Sequence, residues 1–313
     1  MMPQFAGMRS KLINYKNITL GLFIFSIGLF KKVVIADSFA IWANTGFDTA
    51  TTLNLFEAWA TSLSYTFQLY FDFSGYTDMA IGLALLFNIK LPINFNSPYK
   101  ATNIQSFWQR WHITLSRFLK DYVYIPLGGN RKGSFRAYNN IMATFVIGGI
   151  WHGAAWTFVL WGMLHGVALV IYRLWSHLGI KIWTWLAWLI TFNFINVSWV
   201  FFRAKEWEDA HKVLKGMLGI SGVVITGKYE KHLSFFSSYD FITFANVTEH
   251  IGGNSKVLHS IIIGFLLVLL FKNSIEKILD FKPSLRKSIF MVMLFTVSIL
   301  MLFRKSEFLY FNF

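Results

Sequence analysis

MATFVIGGIWHGAAWTFVLWGMLHGVALVIY, Met142 to Tyr172, contains no Asp, Glu, Lys or Arg. It outruns the ~20 mostly apolar residues that a membrane-crossing helix needs. Comparable runs flank it: ITLGLFIFSIGLF from Ile18, WLAWLITFNFINVSWVFF from Trp185, VLHSIIIGFLLVLLF from Val257 and IFMVMLFTVSILMLF from Ile289. Across 313 residues, 55% are hydrophobic, 19% aromatic and 14% charged, a balance whose apolar surface a water-soluble domain could not cover. Only helices and closed barrels satisfy their backbone groups in lipid, and these runs have helical length. The expectation is therefore an all-α polytopic membrane protein with roughly seven or eight embedded helices. No repeat or Pro/Gly-rich linker divides the chain, so residues 1–313 read as one membrane domain.

The charge excess fits the same picture. Twenty-nine Lys and Arg against 15 Asp and Glu give +14, yet no nucleic-acid motif accompanies them, and no nucleic-acid partner is expected. Basic residues beside apolar spans set orientation and attract anionic lipid headgroups, making membrane lipid the first partner. Between Tyr99 and Arg136 lie seven Lys and Arg, with Asp121 the only acid, which places this face toward the cytoplasm. Lys272 to Lys287 is similarly basic, whereas Gly219 to Ser255 is nearly charge-balanced and reads as an exterior or lateral loop. EWEDAHKVLKGML, Glu206 to Leu218, is amphipathic and suits an interface; Arg304 and Lys305 give no clear orientation. The opening MMPQFAGMRSKLINYKN lacks a signal-type apolar core, so insertion is expected to use the spans themselves. With no cysteine, thiolate metal sites, thiol nucleophiles and disulfides are excluded. Zinc-helix, nucleophile-elbow and dinucleotide motifs do not occur, and neither metal nor bound cofactor is expected.

Two histidines stand among tryptophans. In FWQRWHITLSRFLKDYVYIPLGGNRKG, Phe107 to Gly133, a helical projection over Asn103 to Tyr124 gathers Trp108, Trp111, Leu115, Phe118, Leu119 and Tyr122 on one side. Arg110, Thr114, Arg117 and Asp121 fall on the other, with His112 at the apolar edge. Either the arginines face an anionic group while His112 faces inward, or this is an interfacial helix anchored by tryptophans and snorkelling arginines. The following turn, with Arg131 and Lys132, suits a phosphate or a plain basic anchor; it lacks the Gly-Lys-Ser/Thr ending of a nucleotide loop. His152 has Gly148, Gly149, Ala155 and Trp156 at helical spacing, leaving room for a substrate, although small residues also let membrane helices pack closely. An intramembrane ionisable group is costly and favours a functional role. His165 repeats the pattern on another face and reads as packing. In LYFDFSGYTDMAIG, Asp72 and Asp78 suit ion pairing, a proton relay or a capped structural break. The other five histidines form no constellation.

YFDFSGYTDMAIG, FWQRWHITLSRFLKDYVYIPLGGNRKG, GGIWHGAAWTFVLWGMLHG, SWVFFRA and the closing EFLYFNF, in this order, resemble the membrane-bound O-acyltransferase family, in its bacterial alginate O-acetyltransferase-like branch. The resemblance implies a many-helix fold around a central cavity, a catalytic His152 and a second functional position at His112. It also implies an acyl group passing from a cytoplasmic thioester donor toward an acceptor on the far side. In the exopolysaccharide branch, a separate extracytoplasmic transferase completes delivery to the sugar. Because members of this branch carry further N-terminal membrane helices, the chain is expected to be N-terminally truncated.

The expected activity is therefore transfer of an acyl group, by preference acetyl, to a polysaccharide hydroxyl at the bacterial inner membrane. Acetyl-coenzyme A or an acyl-carrier thioester is the expected donor, held through Arg110, Arg117, Arg131 and Lys132 with Asp121 among them. His152 would act as general base or carry the acyl group itself. Rival readings are a proton-coupled transporter using Asp72, Asp78 and the histidines, or a membrane scaffold for a partner transferase.

Overall fold

A computed structural model describes residues 3–7, 12–233, 235, 239 and 241–303; the closing EFLYFNF, Arg304 and Lys305 lie outside the described residues. About 70% of the described residues are helical. After the single turn α1 (Pro3–Ala6), Asn14 caps α2 (Tyr15–Phe30) by accepting from the Asn17 N–H at 3.2 Å. The helix runs on through a π-helical stretch, Lys31–Ala36, into α3 (Asp37–Asn44) and a second π stretch, Thr45–Thr49. Asn54 and Glu57 form a capping box that starts α4 (Leu55–Leu86).

Glycines decide how α2 meets α4. A Cβ on Gly21 would lie 2.6 Å from the Gly82 carbonyl oxygen, and one on Gly28 would lie 2.6 Å from that of Gly75. The backbones therefore touch, as small residues permit between membrane helices. Where the π stretch begins, both lysines turn onto α4: Lys31 pairs with Asp78 at 2.7 Å, and Lys32 with Asp72 at 2.7 Å and Asp37 at 2.9 Å.

The helix projected over Asn103 to Tyr124 is broken. Asn103 caps α5 (Ile104–Trp108), the chain turns at 109–112, and α6 (Ile113–Leu119) runs into a π stretch, Lys120–Tyr124. Trp108, Trp111 and Leu115 are buried as projected, but Phe118 and Tyr122 are exposed. Next, α7 (Ser134–His152) and α8 (Trp156–Leu178) form a tight hairpin. Cβ atoms on Gly149 and Gly162 would lie 2.4 and 2.3 Å from the carbonyl oxygens of Phe158 and Phe145.

α9 (Thr184–Arg203) packs against α4 and α8, and α10 (Trp207–Met217) buries Ala210, Val213, Gly216 and Met217. The apolar face of α10 is thus taken up by α4 and α9. Beyond it the all-helical expectation fails locally. β1 (Val223–Thr226) and β2 (Ile242–Ala245) pair in parallel, with Val223 opposite Ile242, and their β-branched residues suit that conformation. α11 (Ser255–Leu269), α12 (Ser274–Leu279) and α13 (Leu285–Met301) complete the described chain.

Among the described residues, three helical stretches are long and apolar enough to cross a membrane: Tyr15–Thr49, Trp156–Leu178 and Thr184–Arg203. The larger number expected from sequence includes α4, which carries Glu57, Asp72 and Asp78, and α11 and α13, which are shorter. The main core gathers aromatic residues from α4, α5, α8 and α9, including Phe67, Phe107, Trp161, Trp199 and Phe202. This aromatic mass surrounds the histidines.

Candidate active site

His152 is the last residue of α7 rather than a mid-helix residue. Ala155 and Trp156 therefore lie beyond the helix end; Gly149 closes the α7–α8 contact and Gly148 faces Leu119 of α6, so neither opens space for substrate. Its ring meets Trp161 edge-on at 5.3 Å between centroids, Phe202 at 4.9 Å and Trp151 at 5.0 Å. Neither ring nitrogen has a hydrogen-bond partner among the described residues. Trp151 is 57% exposed beside the half-buried imidazole, so the site lies at the edge of the aromatic core.

His112 approaches from the broken turn. It occupies the left-handed backbone region at φ 41°, ψ 56°, a conformation that costs a non-glycine residue about 1–2 kcal/mol. Neighbouring backbone bonds hold it there: the Ile113 N–H donates to the Asn94 carbonyl at 3.0 Å, and the Asn96 N–H to the Arg110 carbonyl at 2.9 Å. The imidazole sits edge-on to Phe73 at 4.8 Å, with Nδ1 3.3 Å from Asn94 Oδ1. His112 and His152, distant in sequence, face one pocket with Leu69, Phe73, Trp108, Trp111, Leu115, Trp161, Trp199 and Phe202. Its free volume is about 20 Å³, enough for about one water. Trp161, on this wall, is 2% exposed, and its indole N–H has no partner among the described residues.

His165 contrasts with both. It is fully buried, receives the Trp108 indole N–H on Nδ1 at 3.2 Å and places Nε2 3.1 Å from Ser198 Oγ. Ser198 donates its own proton to the Ile195 carbonyl, so its oxygen accepts from Nε2–H. Both nitrogens are satisfied, as suits packing.

Asp72 and Asp78 do not line the pocket. Their carboxylates are buried in the Lys32 and Lys31 pairs, and Ser274 Oγ also bonds Asp78. Burial makes an unpaired carboxylate far costlier than a paired one. The residues expected at the donor are also outside the pocket. Arg110 bonds Ser106 Oγ at 3.2 Å and the Asn96 carbonyl at 3.3 Å, while Arg117, Asp121, Arg131 and Lys132 are exposed. The glycine turn is held by Asn140 and Arg173, which no motif singled out, together with Tyr124 and Asn130 of the quoted segment. Arg173 of α8 donates to Asn130 Oδ1 at 3.0 Å, Tyr124 bonds the same oxygen, and Asn140 of α7 donates to the Gly129 carbonyl at 3.0 Å. Gly128, Gly129 and Gly133 all take positive φ there. A wider open groove of about 1050 Å³ lies by Lys100, Trp183, Trp185 and Trp188, but it contains no histidine. The small pocket, not the wide groove, holds the two histidines.

The aromatic helical core brings His112 and His152 onto one pocket of a membrane protein, and comparison with known proteins gives its class. The MBOAT, membrane-bound O-acyltransferase family matches residues 1–205, and the chain belongs to that family. It is 54% identical over 322 aligned residues to the peptidoglycan O-acetyltransferase of Helicobacter pylori, covering 100% of this chain and 60% of that protein. To the probable alginate O-acetylase AlgI of Pseudomonas aeruginosa it is 45% identical over 194 residues, covering 62% of this chain and 37% of that one. Similarity to the teichoic acid D-alanyltransferase of Bacillus subtilis is 33% over 162 residues, or 47% of this chain and 41% of the relative. The chain thus spans 60% or less of the length of these relatives.

Proposed function

We propose that the chain carries the catalytic pocket of a membrane O-acyltransferase that moves an acyl group, acetyl by preference, from a thioester donor to a hydroxyl of a cell-envelope polysaccharide. The observation that carries this reading is the convergence of His112 and His152 on one aromatic-walled pocket. A neutral imidazole at His152 accepts the proton as the acceptor oxygen attacks the thioester carbonyl. The new O–C bond forms, the C–S bond breaks, and the thiolate leaves with the proton returned by the imidazolium. An acyl-histidine intermediate is the covalent variant of the same chemistry.

Family membership and the names of the relatives support acyl transfer. Peptidoglycan is favoured over alginate as the acceptor class because the 54% match to the peptidoglycan enzyme covers this whole chain, against 62% for the alginate match. In this reading the three long apolar stretches, together with α4, α7, α11 and α13, embed in the bacterial inner membrane. The 19 residues of α7 rise roughly 28 Å, about one hydrocarbon core. α7 runs from the basic Arg131–Arg136 end to His152 at the other, so the acyl donor approaches from the cytoplasm and His152 lies toward the far face. Acetyl-coenzyme A or an acyl-carrier thioester fits the exposed cations as donor. A separate extracytoplasmic transferase would complete delivery. The ion pairs of Asp72 and Asp78 leave the relay of the transporter reading without support.

Labelled acetyl transfer from acetyl-coenzyme A in membranes carrying the chain tests the proposal. His152→Ala should lower transfer by ~10²- to 10⁴-fold with insertion intact; undiminished transfer by the inserted variant would end it.

A further inference from the structure

We infer that Asn94 is a positioning residue that fixes the tautomer of His112, making His112 Nε2 a standing proton acceptor in the pocket; the inference rests on the acyl-transfer reading. Asn94 precedes the tryptophan-rich segment and belongs to no motif. Its side-chain oxygen is identified by its partners: the Thr114 backbone N–H, which can only donate, lies 3.3 Å away, and Thr114 Oγ1 lies 2.6 Å away. The same oxygen faces His112 Nδ1 at 3.3 Å. An oxygen that accepts from Thr114 presents a lone pair to His112, so in the neutral ring the proton sits on Nδ1.

The consequence falls on the other nitrogen. Nε2 then carries the lone pair, has no partner among the described residues and belongs to a ring that lines the pocket shared with His152. In this state His112 accepts a hydrogen bond or a proton and has none to donate from Nε2. His112 Nε2 thus holds a neighbouring O–H or N–H of the acceptor, while His152 removes the proton of the attacking hydroxyl itself. The backbone of Asn94 serves the same end, because its carbonyl holds the Ile113 N–H beside the left-handed turn at His112. Among the described residues that touch the ring or line its pocket, His152 is the one other titratable group; Phe73, Asn94 and the remaining aromatic and aliphatic walls do not titrate near neutral pH.

Asn94→Asp retains the accepting oxygen and adds charge, whereas Asn94→Leu removes the acceptor at similar size. Both are prepared in the full chain in lipid nanodiscs. The pH midpoint of hydrogen–deuterium exchange at the His112 ring carbon is read by mass spectrometry, beside labelled acetyl transfer. The midpoint is expected to rise by about one pH unit or more in Asn94→Asp, because an adjacent carboxylate favours imidazolium, and to fall in Asn94→Leu. kcat for acetyl transfer should drop at least about tenfold in Asn94→Leu, with donor KM changed less than about threefold, and recover within a few-fold in Asn94→Asp. A His112 midpoint unmoved in both variants overturns the inference, as does full-rate transfer by Asn94→Leu beside an inactive His112→Ala. If the unsubstituted chain transfers no acetyl, the acyl-transfer reading fails separately, and the exchange midpoints still decide the Asn94 contact.

Discussion

The surroundings of His165 and the pocket of His112 and His152 are made of similar materials and do different work. Both lie among tryptophans, phenylalanines and glycines of the same helical core. At His165, Trp108 and Ser198 occupy both ring nitrogens, leaving the imidazole nothing to offer a substrate. At His152 neither nitrogen is engaged, and at His112 only Nδ1 is. Small neighbours do not distinguish the two regions, because Gly149, Gly162 and Gly166 are all spent on the α7–α8 contact. On the proposed function, what separates a packing histidine from a reactive one is where its hydrogen bonds go.

The largest stability effect should come from neither histidine region but from the ion pairs beside them. Lys32→Met strands the buried carboxylates of Asp72 and Asp37 and should cost about 3–5 kcal/mol, read from thermal unfolding in nanodiscs. The double variant Lys32→Met with Asp72→Leu should regain part of that loss and retain transfer per folded molecule. Regained stability without transfer would instead make Asp72 part of the chemistry.

Next in size is His165→Ala. It removes the acceptor of the Trp108 indole and leaves a void among Phe145, Trp161 and Phe194, costing about 2–4 kcal/mol in the same unfolding measurement. Smallest is charge reversal at Arg131 and Lys132. These exposed cations should alter the apparent donor requirement by roughly three- to tenfold without changing stability, and unchanged donor dependence would return them to orientation alone.

Much of this was legible in the chain itself. Apolar runs announced the long helices, and tryptophan-flanked histidines singled out His112 and His152. The packing assignment of His165 and the possible pairing of Asp72 and Asp78 were also readable, but their partners were not. Lys31 and Lys32 reach α4 through a π-helical stretch that a fixed 100° projection cannot anticipate, and the same projection ran straight through the break at 109–112. Asn94 carries no periodic or motif signal; its role arises only when the chain folds it against Thr114. Likewise Arg173 meets Asn130 through the α7–α8 hairpin, a contact set by topology rather than spacing.

The central claim is that open ring nitrogens mark the reactive histidines. It is tested most directly by measuring thermal unfolding and acetyl transfer per folded molecule for His152→Ala and His165→Ala side by side. The account predicts that His152→Ala loses transfer by ~10²-fold or more at nearly unchanged stability, whereas His165→Ala loses stability but keeps most of its transfer. The reverse pattern, with transfer abolished at His165 and retained at His152, would contradict it.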